Sequence, residues 1–204
     1  FPEDWRGNNQ LQRNEKIAKD SAHKIIKNHK KEIAAVIIEP LIQGAFGMRM
    51  CRKEFCSELV EMFKEAGILV IFDEVMTGFR VAWGGVQTLW DLDPDLTTLG
   101  KVVGGGMPLA ALAGKSRIMN CLTPEGGVYQ AGTLSGNPVA VACGIKSLEI
   151  LRTATHKTLQ SYSHSLMEGM RKIADQNSLP FVSYSLGGMF GFFFSESPVK
   201  SFED

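Results

Sequence analysis

Cysteine is scarce in this chain, and none is placed for pairing. Only Cys51, Cys56, Cys121 and Cys143 occur in 204 residues, with no Cys-x-x-Cys spacing and no histidine cluster nearby. Those absences exclude a zinc-site pattern and a disulfide framework, and they point to free thiols in a reducing, cytoplasmic compartment. Charge of one sign is also lacking: 22 basic side chains face 22 acidic ones. The one locally basic stretch, Lys24, Lys27, Lys30 and Lys31, reads as the solvated face of a polar helix, so no nucleic-acid partner is expected. No apolar run approaches the roughly 18 residues of a membrane span, and residues 190–194 are far too short, so no membrane role is expected. Repeats and low-complexity segments are missing. The Gly104-Gly-Gly106 run is not a dinucleotide fingerprint, because it lacks the Gly-x-Gly-x-x-Gly spacing and the acid that should follow.

What is present is a 44% hydrophobic chain, long enough for one or two domains with a real core. Residues 11–31 read as an amphipathic helix, with Ile17, Ala18, Ala22, Ile25 and Ile26 on one side. Residues 33–38 form a continuous apolar run that ends at Glu39-Pro40, the signature of a buried parallel strand. A helix follows at 53–66, closed by Gly67, and then a second buried strand at 68–73. Strand–helix–strand predicts a parallel sheet with a right-handed crossover, in an α/β fold. Ligands in such sheets sit beyond the carboxyl ends of the strands, where both Glu39 and Asp73 fall. Two more short strands are expected at 96–100 and 109–113. Asn137 is placed to cap a helix whose first residue is Pro138. Another helix begins near Thr155, carries Leu159, Tyr162, Leu166, Met170 and Ile173 at helical spacing, and stops by Asn177. Residues 181–194 read as further strands.

Two residues carry the chemistry. Lys101 lies between an apolar strand and three glycines, where poor solvation would free its amine to act as a nucleophile. Asp73 ends the run Ile68-Leu-Val-Ile-Phe-Asp73. A Schiff-base lysine and an acid for a protonated pyridine nitrogen are what pyridoxal 5'-phosphate (PLP) needs from a protein. Taken alone, Lys101 reads equally well as a surface lysine beside a turn, and Asp73 as a strand-end acid capping the next helix. Gly132-Thr133-Leu-Ser-Gly136 is a glycine-bracketed turn whose hydroxyl and amides suit a phosphate, or a plain loop.

Three motifs in order decide between these readings. Asp73-Glu-Val-Met-Thr-Gly-Phe-Arg80, Leu96-Thr-Thr-Leu-Gly-Lys101 and Tyr129-Gln-Ala-Gly-Thr-Leu-Ser-Gly-Asn-Pro138 resemble the class III aminotransferases, of PLP fold type I. The resemblance implies a parallel-rich large domain over residues 1–152, then a linking helix and the start of a small α+β domain over 153–204. It implies PLP, passing through the pyridoxamine phosphate form, and amino-group transfer on a small amino acid or aldehyde substrate. It assigns Lys101 as the catalytic lysine, Asp73 to the ring nitrogen and Val75 to one face of the ring. Gln43 would lie close to the ring, and Gly132 and Thr133 would reach the phosphate of a neighbouring subunit's cofactor, which makes a homodimer with shared sites. Glu74 is left as a local anchor. Residues 41–50 and the opening Phe1-Pro-Glu-Asp-Trp5 follow one subgroup of the family, whereas the match from Met76 onward follows another. The chain has neither an initiator methionine nor a targeting segment, and it reads as an internal piece. By resemblance, a further phosphate loop and a ring-stacking aromatic precede Phe1, and substrate contacts follow Asp204, so this piece is not expected to complete a site. A non-catalytic homologue that only folds or pairs is the remaining alternative.

Overall fold

The computed structural model describes residues 9–153 and 155–199; the Phe1–Trp5 motif and the final residues lie outside them. In chain order the elements are α1 (Leu11–His29), β1 (Ala35–Ile38), β2 (Ile42–Gln43), β3 (Arg49–Met50), α2 (Lys53–Glu65) and β4 (Leu69–Asp73). Then come α3 (Gly85–Trp90), β5 (Leu96–Leu99), a short 3-10 helix (Lys101–Gly104), β6 (Ala111–Gly114) and α4 (Ser116–Met119). The chain continues through α5 (Pro138–Thr153), α6 (His156–Gln176), β7 (Val182–Leu186) and β8 (Met189–Phe193). The main sheet runs β1-β4-β5-β6. β4 pairs parallel to β1 and to β5, and β6 returns antiparallel against β5. The parallel, helix-crossed sheet inferred from residues 33–73 is therefore present.

One face of this sheet is covered by α1 and α2. Alternation puts Val70 and Phe72 of β4 toward them, both fully buried, against Phe55, Cys56, Val60 and Phe63. Each such side chain contributes about 1.5–3 kcal/mol of burial free energy. α1 presents a narrower apolar face than its sequence suggested. Ala18, Ala22 and Ile26 pack on the core, while Ile17 and Ile25 are more than half exposed. The buried polar residue on α1 is Glu15, which is kept neutralised by Arg52, whose Nε donates to Oε1 at 2.9 Å. Cys51 and Cys56 are buried thiols, and the Cys56 sulfur together with burial pushes the Cys51 thiol up, which disfavours the nucleophilic thiolate of Cys51.

The amino ends of β4 and β5 are locked by Asp95. Its Oδ2 accepts from the Val70 amide at 3.0 Å, and Oδ1 pairs with Arg117 and Lys115. Burial works against this carboxylate, yet the Val70 amide and the Lys115 charge hold it below the usual carboxylate range.

A second apolar cluster joins Ile42, Met48 and Met50 of the β2–β3 region to Met189 of β8. The β7–β8 hairpin also rests on α6, where Ser163 Oγ donates to the Gly187 carbonyl at 2.6 Å. The side of α6 that packs is the one bearing Ser163, Met167 and Ala174. Tyr162, Leu166 and Ile173, which share the predicted apolar stripe, are 68%, 46% and 61% exposed.

Candidate functional site

The parallel register sets the site. Asp73 at the end of β4 lies directly across from Thr98 of β5, so the carboxyl ends of both strands finish side by side. Asp73 Oδ1 accepts from the Val75 amide at 3.1 Å and from Thr98 Oγ1 at 3.3 Å. Its Oδ2 takes no hydrogen bond from the described residues. One oxygen is thus committed to the fold and the other is open.

The neighbouring acid has a different task. Glu74 is fully buried, and its carboxylate accepts from Thr77 Oγ1 at 2.9 Å, the Val86 amide at 2.7 Å and the Gln87 amide at 2.9 Å. It satisfies the first amides of α3 from twelve residues away, tying the whole 74–87 loop to the sheet. Gly85 makes this approach possible. Its φ is +79°, and an added Cβ would sit 2.2 Å from Glu74 Oε2. Glu74 is therefore the anchor, and Asp73 is the acid with an oxygen to offer a ligand.

Lys101 opens the 3-10 helix that follows β5, in the left-handed region at φ 48°. A lysine is seldom found there, and strain of this kind gathers at functional positions. The backbone is fixed on both sides. Val103 N donates to the Gly100 carbonyl at 3.2 Å, and Gly105 lies so close to α5 that a Cβ would meet the Cys143 carbonyl oxygen at 2.7 Å. Val75 packs beside Gly100, its Cγ1 lying 3.3 Å from where a Cβ there would be. Asp73, Val75 and Lys101 are thereby gathered at one end of the sheet. The expectation of a poorly solvated Lys101 is not met within this chain, where the residue is exposed. The strand and glycines shape its backbone, and neither covers its side chain.

Gln43 lies on β2, paired with Arg49 in the two-residue hairpin. It shares a cleft of about 360 Å³ with Glu39 and Asp73; the rest of the lining is apolar side chains of α1, β1 and α2. Glu39 Oε2 accepts from the Gly44 amide at 3.3 Å, which holds the start of the hairpin against the end of β1. The cleft wraps the edge of the sheet, so only its polar rim belongs to the site.

Gly132 and Thr133 occupy an exposed turn before α5, closed by Ser135 N donating to the Gly132 carbonyl at 2.9 Å. Among the described residues no hydrogen bond links Thr133 to Asp73, Gln43 or Lys101. Asn137 caps α5 as its sequence implied, Oδ1 accepting from the amides of Val139 and Ala140, each at 3.1 Å.

These groups suit a cationic aromatic ring with a carbonyl substituent: an open carboxylate oxygen, an apolar valine beside it and a primary amine on the next strand end. Among the described residues no cluster of three metal-ligating side chains occurs, and no helix is long and apolar enough to cross a membrane. The structural residue that sequence reasoning missed is Thr98. The signal available for it was its place in a strand, with the same facing alternation as Leu96.

Comparison with known proteins identifies the family. The family model of class III aminotransferases matches residues 3–203. The glutamate-1-semialdehyde 2,1-aminomutase of Polynucleobacter asymbioticus is 50% identical over 180 residues, 88% of this chain and 41% of that protein. The crystal structure of an omega-transaminase from Sphaerobacter thermophilus superposes with a TM-score of 0.76 at 30% identity, covering 89% of this chain and 42% of that one. A transaminase with PLP bound gives 0.72 at 29% identity, over 82% and 40%. The chain therefore spans about two-fifths of the length of the proteins it matches. With the family model matching almost its whole length, this chain belongs to the class III aminotransferases.

Proposed function

We propose that the protein is a PLP-dependent glutamate-1-semialdehyde 2,1-aminomutase, a cytoplasmic enzyme that forms 5-aminolevulinate for tetrapyrrole synthesis. The observation that carries the reading is the convergence of Asp73, with one free oxygen, Val75 and Lys101 at adjacent strand ends. The 50% identity to a protein of that name supports the choice of substrate.

When bound, PLP supplies an electron sink for a substrate carbanion. Asp73 would hold a proton on the ring nitrogen through its open oxygen, a preorganised charge of the kind worth the most in a dry site. Val75 would offer an apolar surface to one ring face. Lys101 would hold the cofactor through its amine and would carry protons at the substrate carbon as general acid and base. Gln43 borders the ring from the β2–β3 hairpin. Gly132 and Thr133 offer amides and a hydroxyl to the phosphate of a partner subunit's cofactor, so the protein works as a homodimer. Residues 1–152 form part of the cofactor domain, and 153–204 begin the small domain. The proposed reaction moves an amino group within one substrate, so no net oxidation is required.

The test is conversion of glutamate-1-semialdehyde to 5-aminolevulinate by the complete protein with no added amino donor. Lys101→Ala abolishes both turnover and the visible PLP band that borohydride traps on the chain. An absolute requirement for S-adenosylmethionine and a keto-acid acceptor would instead place it with adenosylmethionine-8-amino-7-oxononanoate aminotransferase of biotin synthesis, toward which residues 41–50 lean. A complete protein with neither activity and no PLP adduct would be a non-catalytic homologue.

A further inference from the structure

We infer that Thr98 is a positioning residue for Asp73, selecting which carboxylate oxygen is presented to the cofactor's ring nitrogen; the inference rests on the function proposed above. Thr98 holds the strand end through two separate groups. Its carbonyl accepts from the Glu74 amide at 3.0 Å, and its hydroxyl donates to Asp73 Oδ1 at 3.3 Å. The Val75 amide reaches the same oxygen at 3.1 Å. Two donors on Oδ1 and none on Oδ2 make the two oxygens inequivalent before any ligand arrives.

An aspartate at a strand end can rotate about its terminal torsion, which is broad and nearly two-fold. A single amide from residue 75 would leave the carboxylate free to pivot about that bond. The second donor comes from a different strand, so rotation must break one of the two. Thr98 is suited to this task because a β-branched residue is stiff at χ1, which fixes the hydroxyl direction without a further partner. Its position opposite Asp73 follows from the parallel register and does not depend on loop conformation. The partner of the hydroxyl is Asp73, and no hydrogen bond joins it to Lys101 among the described residues. It acts through Asp73 and is not a catalytic residue.

The experiment uses the complete protein and PLP labelled with nitrogen-15 in the ring. Thr98→Val keeps shape and strand preference and removes the donor; Thr98→Ala also removes the donor, with less bulk, in case the valine fails to fold. Thr98→Ser restores the hydroxyl. The expected result is a ring nitrogen that loses its proton at lower pH in both donor-free variants. PLP binding should be about tenfold weaker, the low end for a hydrogen bond to a charged group. Thr98→Ser should recover both properties toward wild type. Asp73→Asn serves as the reference and must move the ring-nitrogen signal further than any Thr98 variant. A shifted signal in Asp73→Asn with none in Thr98→Val or Thr98→Ala overturns the positioning role and leaves the site reading standing. An unshifted signal in Asp73→Asn overturns both. A lowered melting temperature with an unchanged ring nitrogen means that Thr98 only supports the strand, which also overturns the inference.

Discussion

Glu74→Gln is a near-isosteric change that tests whether the two adjacent acids have been assigned correctly. The carboxylate accepts three hydrogen bonds: Oε2 takes Val86 N at 2.7 Å and Thr77 Oγ1 at 2.9 Å, and Oε1 takes Gln87 N at 2.9 Å. Glutamine keeps a single acceptor oxygen. In its better orientation that oxygen serves Val86 and Thr77, and the new amide group faces the Gln87 N–H, donor against donor. One charge-assisted bond, the one to the part-buried Gln87 amide, is lost, about 1.5–3 kcal/mol. Glu74→Ala loses all three bonds and opens a void, for a cost on the order of 4 kcal/mol or more. Urea denaturation of each variant, followed by circular dichroism, measures this as a fall in midpoint with an unchanged slope. Asp73→Asn in the same assay should change stability little, since one oxygen there is free of partners among the described residues. The reasoning fails if Glu74→Gln unfolds within about 0.5 kcal/mol of wild type, the range of an ordinary surface change, or if Asp73→Asn is the more destabilised of the two.

Acid should weaken the lock between β4 and β5. The Asp95 carboxyl is depressed in the folded chain, so its contribution is complete above the unfolded carboxylate value near 4 and is lost as pH falls through the lower folded value. Asp95→Asn should therefore flatten the loss of stability below about pH 4 in a denaturation series; an unaltered slope refutes the pairing with Val70, Lys115 and Arg117. For shared sites, mixing complete Lys101→Ala and Thr133→Ala proteins, the latter with a second lesion in its turn, should restore about one quarter of wild-type activity under random exchange, because roughly half the dimers hold one intact site. No recovery despite proven exchange would assign Thr133 to its own chain's site.

Much of this protein is readable from local pattern. The continuous apolar runs before Glu39 and Asp73 could only be buried strands, and the intervening helix forces them to lie parallel. Asn137-Pro138 announces a helix start because the cap and the first-turn amides are neighbours in sequence. The strand-end positions of Asp73 and Lys101 were legible for the same reason, since each follows an apolar run, and strand ends are where such a sheet holds ligands. Other features depend on partners distant in sequence. The outward turn of Tyr162, Leu166 and Ile173 is set by which side of α6 meets the β7–β8 hairpin, and periodicity alone cannot choose between faces. α3 and the β2–β3 hairpin are too short to show a period. Glu74 and Asp73 are consecutive acids with the same chemistry, and in the sequence only the family resemblance tells them apart. The tertiary structure supplies the physical reason, by surrounding one with three donors and leaving the other a single open oxygen.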